Sequence, residues 1–243
     1  MRLGILQGRL SSTRLPGKVL MDLHGEPMIL RQIERLRQCH NLDALVVATS
    51  VDPSDDPLVA VLESAGVTVR RGPLDDVVER FRIIVDEFQP DTIVRLTADC
   101  PLADPATIDR VIAEHIASGA DYTSNVLKPT YPDGLDVECI SGAAFARMCA
   151  LPLSEMEREH VTMGLYSRPD EFTLRSVEQE PDISNLRWTV DVADDLAFVR
   201  LVYSRLYDHN PRFGQAEILA LATAEPPLSR TDDDVARNSG LTK

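Results

Sequence analysis

The side chains able to do chemistry cluster first between the start of the chain and residue 18, which read Gln7-Gly8-Arg9-Leu10-Ser11-Ser12-Thr13-Arg14-Leu15-Pro16-Gly17-Lys18. Two glycines, three hydroxyls, two arginines and a lysine stand within these residues of a chain that carries 39 acids against 25 bases. Positive charge and hydrogen-bond donors gathered in one loop of an acidic chain are the materials of a phosphate site. A solvated basic turn is the alternative, although a loop of this length is more often functional. It is not a Walker A loop, which requires Gly in place of Ser12 and Ser or Thr in place of Val19. No G-x-G-x-x-G opens the first helix either.

Two aspartates form the second group. Asp99 follows the apolar run from Ile93 to Leu96, and Asp191 follows that from Leu186 to Val190, so each is expected at the C-terminal end of a strand, where open α/β sheets bind ligands. Mg²⁺ is commonly held by one or two carboxylates together with phosphate oxygens and water. Each aspartate also has a plain structural reading, Asp99 as a turn or cap acid before Pro101 and Asp191 as the N-cap of a helix from about Asp194.

A third group lies in the middle of the chain. Tyr131 to Glu138 contains Asp133, Asp136 and Glu138, and the alternation puts Asp136 and Glu138 on one strand face. They are suited to polyol hydroxyls or to taking a proton, and equally to a charged solvent face. Glu157 and His160 are expected on one helix face; a single Glu-x-x-His is no di-iron motif. Arg187, beside Trp188, has the fork to hold an anionic group, with an internal ion pair as the alternative.

What positions these groups is a βα rhythm. Leu3 to Leu6, Leu45 to Thr49, Thr68 to Arg70 and Thr92 to Leu96 read as strands of a largely parallel sheet. Ile29, Leu30, Ile33 and Leu36 make one helical stripe, and Val77, Val78, Phe81, Ile84, Val85 and Phe88 a second. Asp104-Pro105 starts a third helix, with Ile108, Val111, Ile112 and Ile116 expected inward. After Gly119 the rhythm loosens. Asp121 to Val126 and the alternating Leu135, Val137 and Cys139 read as strands, Ser141 caps a helix through Met148, and another helix covers about 154–166. Strand character returns at 173–177 and 186–190. Helices over about 194–207 and 214–223 close a domain of residues 1–224, and 225–243 reads as a flexible or loosely docked tail.

Composition excludes several classes. A net charge of −14 argues against a nucleic-acid or anionic membrane surface. No apolar run spans a bilayer and the start of the chain lacks a signal-peptide pattern, so a cytoplasmic location without membrane insertion is expected. Cys39, Cys100, Cys139 and Cys149 show no paired spacing and read as core thiols.

The string S-T-R-L-P-G-K, followed by Leu20, Asp22, Leu23, Gly25, Pro27, Met28 and Ile29, resembles the opening of the sugar-acid cytidylyltransferases, those of 3-deoxy-manno-octulosonate and acylneuraminate. Arg71-Gly72-Pro73, Asp75-Asp76-Val77 with Arg80, Arg95-Leu96-Thr97-Ala98-Asp99-Cys100-Pro101-Leu102 and Arg187-Trp188-Thr189-Val190-Asp191 are similar to the spore-coat polysaccharide F branch of that superfamily. The resemblance spans about residues 3–202. It implies a Rossmann-like nucleotidyltransferase fold that activates a sugar or sugar acid with CTP, releasing pyrophosphate. It implies Asp99 and Asp191 as Mg²⁺ ligands, and Lys18 and Arg9 on the triphosphate with Arg14 as a third cation. Ser11, Ser12 and Thr13 would donate to phosphate oxygens, Gln7, Gly8 and Arg71 would neighbour the base, and Thr97 would line the nucleotide wall. Tyr131, Asp133, Asp136, Glu138, His160 and Arg187 are the acceptor candidates. A homodimer is also implied, meeting through an inserted segment of about 125–175.

Two departures stand out. Thr97-Ala98 replaces the Gln-Gly pair usual in the octulosonate enzymes, which leaves CTP or another nucleoside triphosphate open. Val192-Ala193-Asp194-Asp195-Leu196 replaces a Pro-Glu-Asp-Leu pattern but keeps an acid in the first helical turn. The competing readings are a nucleotide-sugar-dependent glycosyltransferase, whose D-x-D occurs here only within Asp232 to Asp234, and a non-catalytic nucleotide-binding domain.

Overall fold

The first strand, β1 (Arg2–Gln7), has parallel neighbours on both sides and is therefore buried on both faces. The computed structural model describes residues 1–225 and 230–231. After β1 come a short hairpin of β2 (Asp22–Leu23) and β3 (Glu26–Pro27), then α1 (Met28–Leu36), β4 (Ala44–Ser50), α2 (Asp56–Ser64), β5 (Val69–Gly72), α3 (Val77–Phe88), β6 (Thr92–Thr97) and α4 (Pro105–Ser118). The later part adds β7 (Tyr122–Ser124), β8 (Glu138–Ser141), α5 (Gly142–Cys149), α6 (Glu155–Glu159), α7 (Met163–Tyr166), β9 (Leu174–Ser176), α8 (Ala193–Leu206) and α9 (Gln215–Ala224).

The seven-stranded sheet runs β5-β4-β1-β6-β8-β7-β9, and β8 alone is antiparallel to its neighbours. Leu3 and Ile5 face Val77, Phe81 and Ile84 of α3, whereas Leu6 faces Ile29 and Ile33 of α1 and Ile108 and Ile112 of α4. From β1 the chain winds to β4 and β5 on one side and then crosses to β6 on the other. Strand order thus reverses between β1 and β6, and the crevice this leaves at their C-terminal ends is where such sheets bind ligands. The loop from Gly8 to Lys18 and the turn holding Asp99 both leave the sheet there.

Asp76, Asp104 and Ser141 cap α3, α4 and α5, each side chain accepting from the backbone N–H three residues on at 2.9, 2.9 and 3.1 Å. Several sequence expectations are corrected. α2 has no counterpart in the sequence reading, because it buries only Leu58 and Leu62 and so has little periodic signal. On α4 the inward position near the C-terminus is taken by His115, bonded to Thr123 Oγ1 at 3.0 Å, leaving Ile116 exposed. The single helix expected over 154–166 is two, α6 and α7, separated by a turn at His160-Val161-Thr162. The strand expected at 186–190 makes only isolated bridges, Arg187 to Asp133 and Leu186 to Thr231. Its apolar residues, Trp188 and Val190, are buried without a partner strand, and so are Arg187 and Thr189 beside them. Strand β8 begins at Glu138, so Asp136 lies just outside the ladder. The four thiols are free; Cys100 and Cys139 are core residues as expected, whereas Cys39 and Cys149 are only half-buried. Most of the expected tail, including Asp232 to Asp234, lies outside the described residues, but Arg230 is described and its guanidinium meets Asp195 at 2.7 Å.

Gly134 shows how tightly the inserted loop docks. Its φ is 108°, and a Cβ there would stand 2.4 Å from the Thr189 nitrogen. Gly25 has a similar φ of 81° with open space around it. Gly134→Ala is expected to cost about 2 kcal/mol or more and to lower the thermal midpoint by roughly 4–8 °C, with Gly25→Ala costing about half as much. Thermal unfolding followed by circular dichroism checks the order; equal losses would show that the contact at Thr189 relaxes freely.

Candidate active site

Gly17, at φ 72°, turns the loop into a single 3-10 turn, Lys18–Leu20, that aims Lys18 inward. The Lys18 side chain is only 9% exposed. Its Nζ donates to Asp99 Oδ2 at 3.3 Å, to Asp191 Oδ1 at 3.0 Å and to the Val190 carbonyl at 2.6 Å. Burial by itself disfavours this ammonium, but the two aspartates more than offset it and hold its pKa above the ordinary value. The same contact acts in reverse on Asp99. Burial favours its neutral form, yet the Lys18 charge and hydrogen bonds from Thr97, Cys100 and Lys18 bring its pKa down to about 2.

Asp191 is held from behind. Arg187, 1% exposed, donates from Nη2 to Asp191 Oδ2 at 2.9 Å, from Nη1 to Asp133 Oδ2 at 2.9 Å and from Nε to Asp195 Oδ1 at 3.2 Å. Asp195 in turn accepts the Asp191 and Val192 backbone N–H groups at 2.8 and 3.0 Å, which starts α8. Neither Asp99 nor Asp191 caps a helix, since that role falls to Asp104 for α4 while Val192 stands at the N-cap of α8. Arg14 reaches Asp191 Oδ2 from the solvent side at 2.9 Å.

Two cavities meet at Asp99. One, of about 330 Å³, is bounded by the basic loop, with Gln7, Gly8, Arg9, Ser12, Thr13 and Lys18 in its wall. The other, of about 470 Å³, is bounded by Asp133, Asp136, Glu138, Arg187, Thr189 and Asp191. Arg14, Arg95, Thr97, Asp99 and His160 line both. The arrangement offers cations and hydroxyls in one arm, carboxylates in the other and a clasped lysine between them. Such a cleft can hold a polyphosphate against a second, polyhydroxylated reactant and stabilise charge where they meet.

The cytidylyltransferase family model matches residues 3–191. The chain belongs to that family. As a cytidylyltransferase it is 31% identical over 228 residues to the spore coat polysaccharide biosynthesis protein SpsF of Bacillus subtilis, covering 91% of this chain and 94% of the relative. It is 31% identical over 185 residues to the 3-deoxy-manno-octulosonate cytidylyltransferase of Anaeromyxobacter dehalogenans, covering 69% of this chain and 73% of the relative. Among solved structures, a cytidylyltransferase from Leptospira borgpetersenii superposes with a TM-score of 0.88 at 26% identity, over 94% of this chain and 96% of the other. The fold and the enzyme class, nucleotidyl transfer, follow from that membership.

Of the residues singled out from this cytidylyltransferase's sequence, the cleft does not gather all. Ser11 is exposed and lines neither cavity. Arg71 turns aside to the Ser50 and Asp52 carbonyls, at 2.8 and 3.0 Å, and to Asp56 at 2.7 Å. Tyr131 is buried with its hydroxyl accepting from Arg110 at 2.7 Å, beside a different cavity. Glu157 and His160 share no helix face. Glu157 closes a capping box with Ser154 and pairs with Arg168, while His160 ends the helix and enters the cleft. Burial keeps the His160 imidazole below its ordinary pKa, so the ring is neutral at pH 7.

Three residues of the site have no role in the sequence reading. Arg80 lines the basic cavity while donating to the Pro73 and Leu74 carbonyls. Asp55 is fully buried and accepts the Leu10 N–H at 2.7 Å, the Thr49 hydroxyl at 3.0 Å and both donors of Ser50, tying the basic loop to the end of β4. Arg95 is paired with Glu138; an arginine within the apolar run Ile93 to Leu96 was the available signal.

A carboxyl held at about 2 in the folded state, against an ordinary 3.8, contributes stability that is present above the ordinary value and lost as pH falls toward 2. Lys18→Met removes the main charge that depresses Asp99, so the carboxyl is expected to protonate at higher pH and the acid limb of the stability profile to move upward. Thermal melts between pH 6 and pH 2 measure this. An unmoved limb would assign the depression to Thr97 and Cys100 instead.

Proposed function

We propose that this enzyme transfers CMP from CTP to a sugar acid or related polyol acid with release of pyrophosphate, in the cytoplasm, for a surface polysaccharide or glycan. The observation that carries the reading is the Lys18 ammonium clasped by Asp99 and Asp191 where the cationic and acidic arms join. The relatives support the chemistry assigned to each arm, one by its 3-deoxy-manno-octulosonate cytidylyltransferase activity and one by its part in spore coat polysaccharide.

In this reading the triphosphate lies along the basic loop. Arg9 and the hydroxyls of Ser12 and Thr13 hold the departing pyrophosphate, and Lys18 stabilises charge at the α-phosphorus as the acceptor oxygen arrives. The bond from the acceptor oxygen to phosphorus forms as the bond to the bridging oxygen breaks, the acceptor hydroxyl giving its proton to a carboxylate of the acidic arm and the electron pair leaving with pyrophosphate. Asp133 and Asp136, in the other arm, face the acceptor's hydroxyls, Glu138 having both oxygens engaged by Arg95 and Tyr122, and His160 stands between the two reactants. Gln7, Gly8 and Thr97 close the nucleotide end, where Gly8 approaches so closely that a Cβ would meet that of Ala98 at 2.8 Å.

The donor set suits Mg²⁺. Oxygens of Asp99 and Asp191 converge on one buried ammonium within 3.3 Å, and no group of three or more His, Cys, Asp and Glu able to hold a metal occurs among the described residues. Two carboxylates completed by phosphate oxygens and water are the usual protein share for this ion. Bound there, it supplies neutralisation of the triphosphate charge.

Pyrophosphate release with Mg²⁺, each nucleoside triphosphate being tested against a panel of sugar acids and sugar phosphates, checks the reading. Turnover is expected with CTP and a sugar acid. Asp99→Ala and Asp191→Ala are each expected to lower kcat by roughly 10²–10³. Turnover unaffected by both substitutions would remove the clasp from the mechanism, and release confined to another nucleotide would replace CTP.

The resemblance also supports a homodimer meeting through about residues 125–175. Sedimentation equilibrium is expected to give twice the chain mass of 26.9 kDa; a single-chain mass at micromolar concentration would refute it.

A further inference from the structure

The acidic arm contains three arginines, and their partners separate them. Arg187 is enclosed by Asp133, Asp191 and Asp195. Arg14 belongs to the basic loop, is 41% exposed and is paired with Asp191. Arg95, on β6, sits in the wall common to both arms with its side chain 15% exposed. Its Nη1 meets Glu138 Oε1, and its Nε donates to Gln7 Oε1 at 3.3 Å. Nη2 has no hydrogen-bond partner among the described residues, and it is not among the buried polar atoms sealed from solvent.

This guanidinium is fixed in place. Glu138 opens β8, opposite Arg95 in the antiparallel β6–β8 register, so the sheet itself sets the pair. The other Glu138 oxygen accepts the Tyr122 hydroxyl at 2.5 Å, and Tyr122 is fully buried on β7. Three neighbouring strands thus hold one arginine with a free edge toward the cleft. That edge opens on the cleft, where solvent or a ligand oxygen can accept from it.

We infer that Arg95 is the residue that reads the acceptor's carboxylate, with Glu138, Tyr122 and Gln7 as the positioning residues that aim it. This rests on the reading of the enzyme as a sugar-acid cytidylyltransferase and assigns its acceptor specificity to one side chain. The Arg95–Glu138 pair is neutral as a unit, so it accommodates a single negative charge held through the planar fork. Asp133 and Asp136 in the same arm, where Arg187 is already shared among three carboxylates, disfavour a second charge, which sets a carboxylate apart from a phosphate monoester. The triphosphate has its own cations in Arg9, Lys18 and Arg80.

The test uses the full chain with CTP and Mg²⁺. The acceptors are 3-deoxy-manno-octulosonate and N-acetylneuraminate, each beside its carboxamide and beside a sugar 1-phosphate. Arg95→Met is expected to raise KM for the acid about 10- to 100-fold, to leave KM for CTP within about threefold, and to abolish the preference for acid over carboxamide. Arg95→Lys is expected to fall between. Because Arg95→Met leaves Glu138 buried without its partner, the double variant Arg95→Met with Glu138→Gln is measured as well and is expected to fold and to show the same flattened preference. An increase confined to KM for CTP, or an intact acid preference in a folded variant, overturns the inference while leaving the enzyme reading in place. Absence of turnover by the wild type with every acceptor would instead overturn the reading itself.

Discussion

A buried ammonium between two carboxylates draws together segments that the sequence separates by 81 and 173 residues. Lys18 comes from the loop after β1, Asp99 from the turn after β6, and Asp191 from an extended stretch that belongs to no ladder. Each element of this contact is unfavourable alone. The amine loses hydration, and the aspartates, each within 3.3 Å of the same nitrogen, repel one another. Only the complete set is satisfied, so the loop, the sheet crevice and the start of α8 settle together or not at all. The same property makes the contact useful, because an anionic reactant entering beside it meets a cation already fixed in position.

Further support is arranged around that centre. Arg187 spreads one guanidinium over Asp133, Asp191 and Asp195, and Asp195 uses its remaining capacity on two backbone N–H groups at the start of α8. On the opposite side, Asp55 fastens the basic loop to β4 through Leu10. The net charge of −14 therefore says little about the site itself. Local cations determine what binds there, while the surplus acids lie elsewhere or are held in ion pairs.

The parallel half of the sheet was legible in the sequence because strands buried on both faces produce compact apolar runs and their helices carry clean stripes. Asp99 was legible as an acid at a strand end and Lys18 as a cation of the loop after β1, and the structure brings both to Asp191, whose expected strand is a stretch outside any ladder. Legibility failed where one sequence pattern serves two structures. Residues 187–190 are all buried without a ladder partner, and a short apolar run does not tell that from a strand. The apolar spacing of 154–166 continues across a break that His160 makes in order to enter the cleft. Arg187 and Arg95 look alike as arginines beside apolar residues, yet one is enclosed by three carboxylates and the other keeps a free edge. That difference depends on which strand lies opposite Arg95, a long-range register that no local pattern contains.

The two arms of the cleft are built by different parts of the chain, and this has a consequence for specificity. The basic arm rests on β1, β4, β6 and the loop they anchor, all within the parallel core. The acidic arm is walled by β7, β8, the loop between them and the segment between β8 and β9, joined to the core through β6. Substitutions within about 125–175 that spare Asp133, the partner of Arg187 behind Asp191, can thus reshape the acidic arm while the Lys18 contact with Asp99, Asp191 and the Val190 carbonyl stays intact. Arg95 is the exception, being a core-strand residue whose orientation is set by Glu138 of the insertion. A change at Glu138 is felt at Arg95, which ties the shape of the acidic arm to the strand pairing that joins the two halves.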